Sequence, residues 1–252
     1  MHNAIFISDL HLCPSRPSIT NTFLTFLNQC ARNTQSLYIL GDFFEQWPGD
    51  DCSDSMSITV IEALKTFTQT SKIPTFFIHG NRDFLISKTF CQQTGVTLLP
   101  DPSVITIGEQ RILLSHGDYL CIDDKPYQRL RKITSNRLAK KIFMLLPQRS
   151  RKKIWQKSRN KSKRIKASDA AYLGDINIPF TINECQRHHC NALIHGHTHR
   201  PTKDTLDSDN RLQRITLPCW DDNAGYATVN LDGIQLHYFN TSTNHKPAGH
   251  TE

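Results

Sequence analysis

Five short segments of this 252-residue chain combine histidines with carboxylate or amide side chains, in types and spacing that could bind metal ions. Imidazole nitrogens with carboxylate or amide oxygens, and no cysteine among them, suit divalent ions such as manganese, iron or zinc. A lone buried histidine is usually structural, but this series reverses that expectation. The segments are Asp9-Leu10-His11, Gly41-Asp42, Gly80-Asn81-Arg82-Asp83, His116-Gly117-Asp118 and Gly196-His197-Thr198-His199.

The segments predict hydrolysis of a phosphoester at a two-metal site. Asp42 follows a glycine that lets the backbone approach closely, and its carboxylate could bridge two ions about 3.5 to 4 Å apart. Two such cations polarise phosphoryl oxygens and bring the pKa of a water between them toward neutrality. No side-chain nucleophile is then needed.

The elements that must position these segments are short apolar runs typical of strands, one before each motif: residues 4–7, 37–40, 75–78, 112–114 and 192–194. Ligands on loops at the carboxyl ends of strands would share one edge of the fold. Apolar residues at helical spacing predict helices over 22–31, 55–71 and 85–95, which gives a βαβ rhythm. Antiparallel strands are predicted over 211–217, 227–231 and 234–239, with a hairpin turn at Asp232-Gly233.

The charge distribution sets one region apart. From Lys125 to Lys166 there are 17 basic residues and no acidic one, whereas the rest of the chain has 13 basic and 23 acidic residues. This block predicts an anionic partner, and its helical pattern predicts an insertion over the active site. The five apolar residues 142–146 at its centre either pack on the core or meet an anionic membrane.

The predicted organisation is therefore a core of residues 1–124 and 176–240, a helical lid of residues 125–175 and a polar tail of residues 241–252. The amino-terminal residues lack the pattern of a secretory signal, and no apolar run approaches the roughly 18 residues of a membrane span. Eight cysteines without a CxxC pair favour reduced thiols and a cytoplasmic location.

The motif order DxH, GD, GNxD, H and GHxH, from Asp9 to His199, resembles the calcineurin-like metallophosphoesterase superfamily. The resemblance implies an α/β fold of two packed sheets flanked by helices (αββα). It also implies one ion held by Asp9, His11, Asp42 and His199, and a second held by Asp42, Asn81, His116 and His197. Asp83 and Asp118 are candidates for holding the ligating imidazoles, and surface salt bridges are the alternative for both.

Arg82 distinguishes this chain from the many superfamily members that have a histidine after the asparagine. A histidine can protonate an alkoxide leaving group, whereas arginine stays charged and matches phosphate with two parallel hydrogen bonds. A phosphate monoester leaves with little protonation, because its second pKa is near 6. Arg82 therefore favours cleavage of a pyrophosphate.

The wider motifs, among them Gly41-Asp42-Phe43-Phe44-Glu45 and Asp123-Asp124-Lys125, resemble the UDP-2,3-diacylglucosamine pyrophosphatases of lipid A biosynthesis. That family implies two Mn²⁺ ions and attack on the α-phosphorus, which gives UMP and 2,3-diacylglucosamine 1-phosphate. It also implies a peripheral protein on the cytoplasmic face of the inner membrane. The implied substrate is a UDP-linked diacylated glucosamine, and the oligomeric state stays open.

Substrate contacts carry over unevenly from this family. Five residues match its substrate-binding positions, whereas Lys166 stands at the place of a family Asn and Asp169 at the place of a family Lys. Lys166 could still reach a phosphate on chemical grounds, although it could also be a solvated lysine. The matching residues are Asn81, Arg82, Asp124, Ser162 and His197.

Two other classes of function remain as alternatives. A metal-dependent nuclease or cyclic-nucleotide phosphodiesterase would explain the basic block, but neither Arg82 nor the apolar centre, so nucleic acid is the less favoured partner. A scaffold that has lost catalysis should lack at least one ligand, and none is missing.

Overall fold

The computed structural model describes residues 2–157, 175–209, 211–221 and 223–240. Strands and helices alternate along its first half, as the βαβ rhythm predicts. The strands are β1 (Ala4–Ile7), β2 (Leu37–Leu40), β3 (Thr75–Ile78), β4 (Thr97–Leu99), β5 (Ser103–Ile107), β6 (Gln110–Ser115), β7 (Ala192–His195), β8 (Thr202–Thr205), β9 (Gln213–Thr216), β10 (Asn223–Asn230) and β11 (Gly233–Asn240). The helices are α1 (Pro17–Gln29), α2 (Ser55–Ser71), α3 (Lys88–Thr94), α4 (Lys125–Thr134), α5 (Arg137–Met144), α6, described over residues 148–157, and α7 (Ile178–Arg187).

The strands form two sheets. One has six strands in the order β11-β10-β1-β2-β3-β4, and the other has five in the order β5-β6-β7-β9-β8. Strands β1 to β4 are parallel to one another, as are β6, β7 and β9, while the remaining strands pair antiparallel. Each sheet therefore has a parallel centre whose loops leave at a common edge.

Successive side chains of each strand point to opposite faces of its sheet, and so each sheet contacts a layer on both sides. Ile5 and Ile7 pack with the apolar faces of α1 and α2, whereas Phe6 points the other way, into the core between the sheets. In the second sheet Leu114 joins that same inter-sheet core, and Leu113 packs towards α7. Both sheets are thus covered by helices on their outer faces, and the predicted αββα fold is confirmed.

Helix boundaries follow their capping residues. The predicted helix 55–71 matches α2, whose N-cap Asp54 exchanges hydrogen bonds with Ser57 in a capping box. Helix α3 begins only at Lys88, because Ser87 caps it. The predicted hairpin forms between β10 and β11, but its two loop residues are Leu231 and Asp232, one position earlier than expected.

The described part of the basic segment, up to residue 157, contains the helices α4, α5 and α6. Arg151 on α6 is 2% exposed and donates to Asp51 and to the carbonyl oxygen of Pro48, so it ties the segment to the loop after β2. The rest of the predicted lid and the predicted tail lie outside the described residues. Within the described part of the chain, no helix has both the length and the apolar character that crossing a bilayer requires.

Candidate metal centre

The five motif segments meet at the carboxyl ends of β1, β2, β3, β6 and β7, where the two sheets open towards the same edge. The structure brings all seven sequence-predicted ligands together there. Asp9 Oδ1 lies 3.2 Å from His199 Nε2, although β1 and β7 belong to different sheets. The centre therefore exists only because the sheets pack face to face.

Asp42 lies between the two predicted ligand sets. Its Oδ2 is 3.9 Å from Nε2 of His11, and its Oδ1 is 3.6 Å from Nε2 of His116. One carboxylate thus faces an imidazole of each set, which is the placement that a bridging ligand needs. Among the described residues, the groups of potential ligand atoms are Asp9 with His11 and His199, and Asp9 with Asp42 and His116.

Asn81 completes the second set. Its Oδ1 lies 3.0 Å from His116 Nε2 and 3.1 Å from His197 Nδ1. Two imidazoles therefore converge on one neutral amide oxygen. In the first set, Nε2 of His11 and Nε2 of His199 also face each other, at 3.2 Å.

The backbone carries strain at this edge. Asp9, His11, Asp42, His197 and His199 all have positive φ angles, between 48° and 70°. Non-glycine residues rarely adopt this region, at a cost of about 1–3 kcal/mol each, and such residues cluster at functional sites. A Cβ atom on Gly41 would lie 2.5 Å from the backbone nitrogen of Gly80, so the loops that hold Asp42 and Asn81 touch backbone to backbone.

The electrostatics of the cluster favour added positive charge. Burial alone would raise the pKa of Asp9, but the nearby imidazoles of His199, His116 and His11 hold it well below its usual value. Burial would lower the pKa of His116, yet Asp42, Asp9 and Asp118 raise it to about 9. The buried carboxylates thus favour protonated, positively charged imidazoles. Divalent cations bound through the lone pairs of the imidazoles and carboxylates would supply positive charge in place of those protons.

The donor set therefore fits divalent metal ions. Asp9 is 0% exposed, and its Oδ1 makes no hydrogen bond despite the nearby imidazole of His199. Its other oxygen is oriented by the Ser8 hydroxyl and by the backbone nitrogen of His197 at 2.9 Å. One oxygen is thus held in place while the other is left for a cation.

Glu45 is a supporting residue that sequence reasoning did not select. Its Oε2 lies 3.1 Å from Nδ1 of His11, so it orients the ring and directs Nε2 into the centre. His116 is oriented instead by the carbonyl oxygen of Leu40, 2.9 Å from its Nδ1. The signal for Glu45 was its place three residues after Asp42, but spacing alone does not show which side chain it meets.

Asp83 and Asp118 were candidates for holding the ligating imidazoles, and the structure gives both of them other hydrogen-bond partners. Asp83 is buried and accepts hydrogen bonds from the backbone nitrogens of Gly80 and Phe43. Burial and the nearby Asp42 raise the pKa of Asp83 to about 7. It therefore joins the second and third motif loops rather than fixing a ring.

Asp118 instead binds the basic segment. It accepts from the hydroxyl of Tyr127 and from Nε of Arg131 at 2.9 Å, and both of these residues belong to α4. The alternative of a salt bridge is correct, but the pair is inside the protein, because Asp118 is only 5% exposed. Asp118 thus fixes α4 beside the centre.

Arg82 lies beside the centre, next to Asp42. Its backbone nitrogen donates to Asp42 Oδ1 at 2.8 Å, while its Nε is 4.0 Å from Asp42 Oδ2 and makes no hydrogen bond. Asp124 serves as the N-cap of α4 by accepting from the backbone nitrogen of Tyr127. Its predicted substrate contact stays a prediction, and Ser162, Lys166 and Asp169 lie outside the described residues.

The three tryptophans divide between the core and the basic segment. Trp47 stacks on Phe44 with ring centroids 4.5 Å apart, and Trp220 is fully buried. Trp155 packs against Phe84, with centroids 5.2 Å apart.

Comparison with known proteins agrees with this geometry. The family model described as calcineurin-like phosphoesterase matches residues 2–201. A UDP-2,3-diacylglucosamine hydrolase of Proteus mirabilis is 40% identical over 236 residues, which cover 93% of this chain and 98% of that protein. A protein of the same name from Pseudomonas paraeruginosa is 42% identical over 92% of this chain and 96% of that protein. Another, from an Escherichia coli strain, is 39% identical over 93% of this chain and 98% of that protein. This chain belongs to the calcineurin-like phosphoesterase family.

Proposed function

We propose that this protein is a hydrolase that cleaves the pyrophosphate of UDP-2,3-diacylglucosamine. Water attacks the α-phosphorus, and the products are UMP and 2,3-diacylglucosamine 1-phosphate, an intermediate of lipid A biosynthesis. The observation that carries the proposal is Arg82, whose guanidinium group borders a complete set of metal ligands. The relatives named UDP-2,3-diacylglucosamine hydrolase, matched over nearly their whole length, support the same substrate.

The residues around the centre divide the work. Asp9, His11, Asp42 and His199 would hold one divalent cation, and Asp42, Asn81, His116 and His197 the other. When bound, the two cations would polarise the phosphoryl oxygens and supply a nucleophilic water near neutral pH. Arg82 binds the departing phosphate with its planar fork and neutralises the charge that builds up there. No side chain need donate a proton to that leaving group.

We propose Mn²⁺ as the ion, two per chain, because hard oxygen ligands mixed with imidazoles suit it. We also propose that residues 125–175 act as a lid for the diacylated part of the substrate. The described helices of that segment expose large apolar side chains among many lysines and arginines, a combination that fits an anionic membrane surface. On this basis the protein would work at the cytoplasmic face of the inner membrane.

A product assay tests the proposal. The Mn²⁺-loaded protein is incubated with UDP-2,3-diacylglucosamine in detergent micelles, and the release of UMP is followed by chromatography. In parallel, single-stranded DNA and a cyclic nucleotide are offered under the same conditions. We expect UMP to appear and the other two substrates to survive. Cleavage of DNA or of the cyclic nucleotide, with the lipid substrate intact, would establish the alternative instead.

A further inference from the structure

A cavity of about 300 Å³ opens beside the metal centre, on the side of His199. It lies between the loop after β7, the loop between β9 and β10, and the end of β11. Small-molecule sites in proteins typically have volumes of about 300–1,000 Å³, so this one is suited to a group the size of a single nucleoside. Its lining residues are His199, Pro201, Pro218, Cys219, Asp221 and Tyr238.

The cavity is fixed in place relative to the metal ligands. The backbone nitrogen of Trp220 donates to the carbonyl oxygen of Asp9 at 3.0 Å, and that of Leu217 donates to the carbonyl oxygen of His195 at 2.7 Å. The loop that carries Cys219 and Asp221 is therefore anchored to the loops of the first and last motifs. A group attached to a phosphate at the centre could enter the cavity without rearrangement of this loop.

The basic segment borders the other ligand set of the centre. The ring of Tyr127 on α4 lies 6.0 Å from that of His197, and Nζ of Lys140 on α5 donates to the carbonyl oxygen of Phe84 at 2.7 Å. The segment thus borders the ligand set of Asn81 and His197, whereas the cavity borders the set of His11 and His199. A pyrophosphate placed across both sets would extend one substituent to each side.

We propose that this cavity is the subsite for the nucleoside half of the substrate, an inference that rests on the proposed function. Tyr238 is 54% exposed and offers a ring face for stacking a pyrimidine, with the rings of Pro201 and Pro218 as apolar walls. Asp221 offers carboxylate oxygens to the ribose hydroxyls, and the Cys219 thiol donates to it at 3.2 Å. The glycolipid half then lies towards the basic segment.

Binding of product fragments tests the subsite apart from turnover. The Mn²⁺-loaded full-length protein is titrated calorimetrically with UMP, ribose 5-phosphate and inorganic phosphate. Because stacking of a base on an aromatic ring contributes on the order of 1–3 kcal/mol, we expect UMP to bind about tenfold more tightly than ribose 5-phosphate. Tyr238→Ala should abolish that preference, and Asp221→Ala should weaken both ribose-containing ligands. Affinity for inorganic phosphate should stay unchanged in both variants.

Asp232→Ala is the matched control, since it removes an exposed carboxylate from the β10–β11 turn, outside the cavity. Equal affinity of the wild type for UMP and ribose 5-phosphate would overturn the subsite, as would a UMP preference that survives Tyr238→Ala. A UMP preference lost in Tyr238→Ala, without hydrolysis of UDP-2,3-diacylglucosamine, would refute the proposed function and leave the subsite standing. Hydrolysis without any UMP preference would do the reverse.

Discussion

Individual side chains at the centre are held by backbone strain and by neighbours. Positive φ angles at five of the seven proposed ligands turn their side chains towards the same point. The close approach of the Gly41 and Gly80 backbones leaves little freedom for the loops to move apart. A site with this degree of preorganisation binds cations without first reorganising, so its residues should be sensitive even to conservative substitution.

Asp42→Asn should abolish turnover, because the amide has one oxygen and no charge with which to join two cations. We expect a loss of at least about a thousandfold in kcat, since each 1.36 kcal/mol of lost transition-state stabilisation is tenfold and bridging cations contribute several kcal/mol. UMP release and circular dichroism are measured together. A folded variant with near wild-type turnover would contradict the assigned bridging role, and Asp232→Asn is the control.

Arg82→Lys should keep the charge but lose the planar fork. We expect kcat/KM for the lipid pyrophosphate to fall by about tenfold or more, because a lysine cannot form the two parallel hydrogen bonds. Steady-state kinetics on UDP-2,3-diacylglucosamine give the value. Unchanged kinetics would show that only the positive charge matters and would remove the main reason for choosing a pyrophosphate.

Glu45→Leu should weaken metal binding without removing a ligand. Loss of the partner of His11 Nδ1 frees the ring to rotate, and such changes typically cost about 10–100-fold in metal affinity. Titration of the metal-free protein with Mn²⁺ measures this affinity directly. Glu45→Gln retains an acceptor for the imidazole and should restore most of it, whereas equal losses in both variants would point to a charge effect instead.

At the scale of elements, buried or half-buried arginines attach the described helices of the basic segment to the core. Arg131 joins α4 to Asp118 and Asp101, and Arg151 joins α6 to Asp51. Phe143 also packs against the main hydrophobic core, whereas its neighbour Leu145 is 83% exposed. Phe143 of the apolar run 142–146 thus packs on the core, as one alternative predicted, whereas contact of its exposed residues with an anionic membrane stays a prediction.

Leu138→Ser with Leu145→Ser should reduce binding to anionic lipid vesicles. These side chains are 66% and 83% exposed, so their loss removes apolar contact with lipid at little cost to folding. Co-sedimentation with phosphatidylglycerol vesicles measures binding. Leu231→Ser, which changes a 74% exposed leucine on the β10–β11 turn, should have no effect. Equal binding of the double variant and the wild type would place the membrane contact elsewhere.

At the scale of the whole molecule, the centre links the two sheets. Its ligands come from loops of both, so bound cations would stabilise the packed arrangement over the unfolded chain. A ligand present at a hundred times its dissociation constant stabilises a protein by about 2.7 kcal/mol. On the proposed function, the ligand cluster at the sheet edges would therefore serve stability as well as catalysis.

Removal of metal with a chelator should therefore lower Tm and abolish UMP release together. Differential scanning calorimetry of the chelated and the Mn²⁺-reloaded protein measures the first effect, and the product assay measures the second. Reloading should restore both. A Tm that is indifferent to Mn²⁺ would indicate that the buried carboxylates and imidazoles are compensated by protons alone.

The sequence by itself determined the strand-end position of each motif and the layered α/β class, and it predicted the seven candidate metal ligands. These follow from local periodicity and from residue chemistry, which need no knowledge of distant contacts. Only the tertiary structure showed that Glu45 orients His11 and that a cavity adjoins His199. It also showed that Asp83 accepts hydrogen bonds from backbone nitrogens, and that Asp118 binds side chains of α4. The short strands β4, β5 and β8 were also missed. These side-chain contacts and strand pairings depend on how the two sheets pack. The local sequence does not indicate which distant residues will be in contact in the fold.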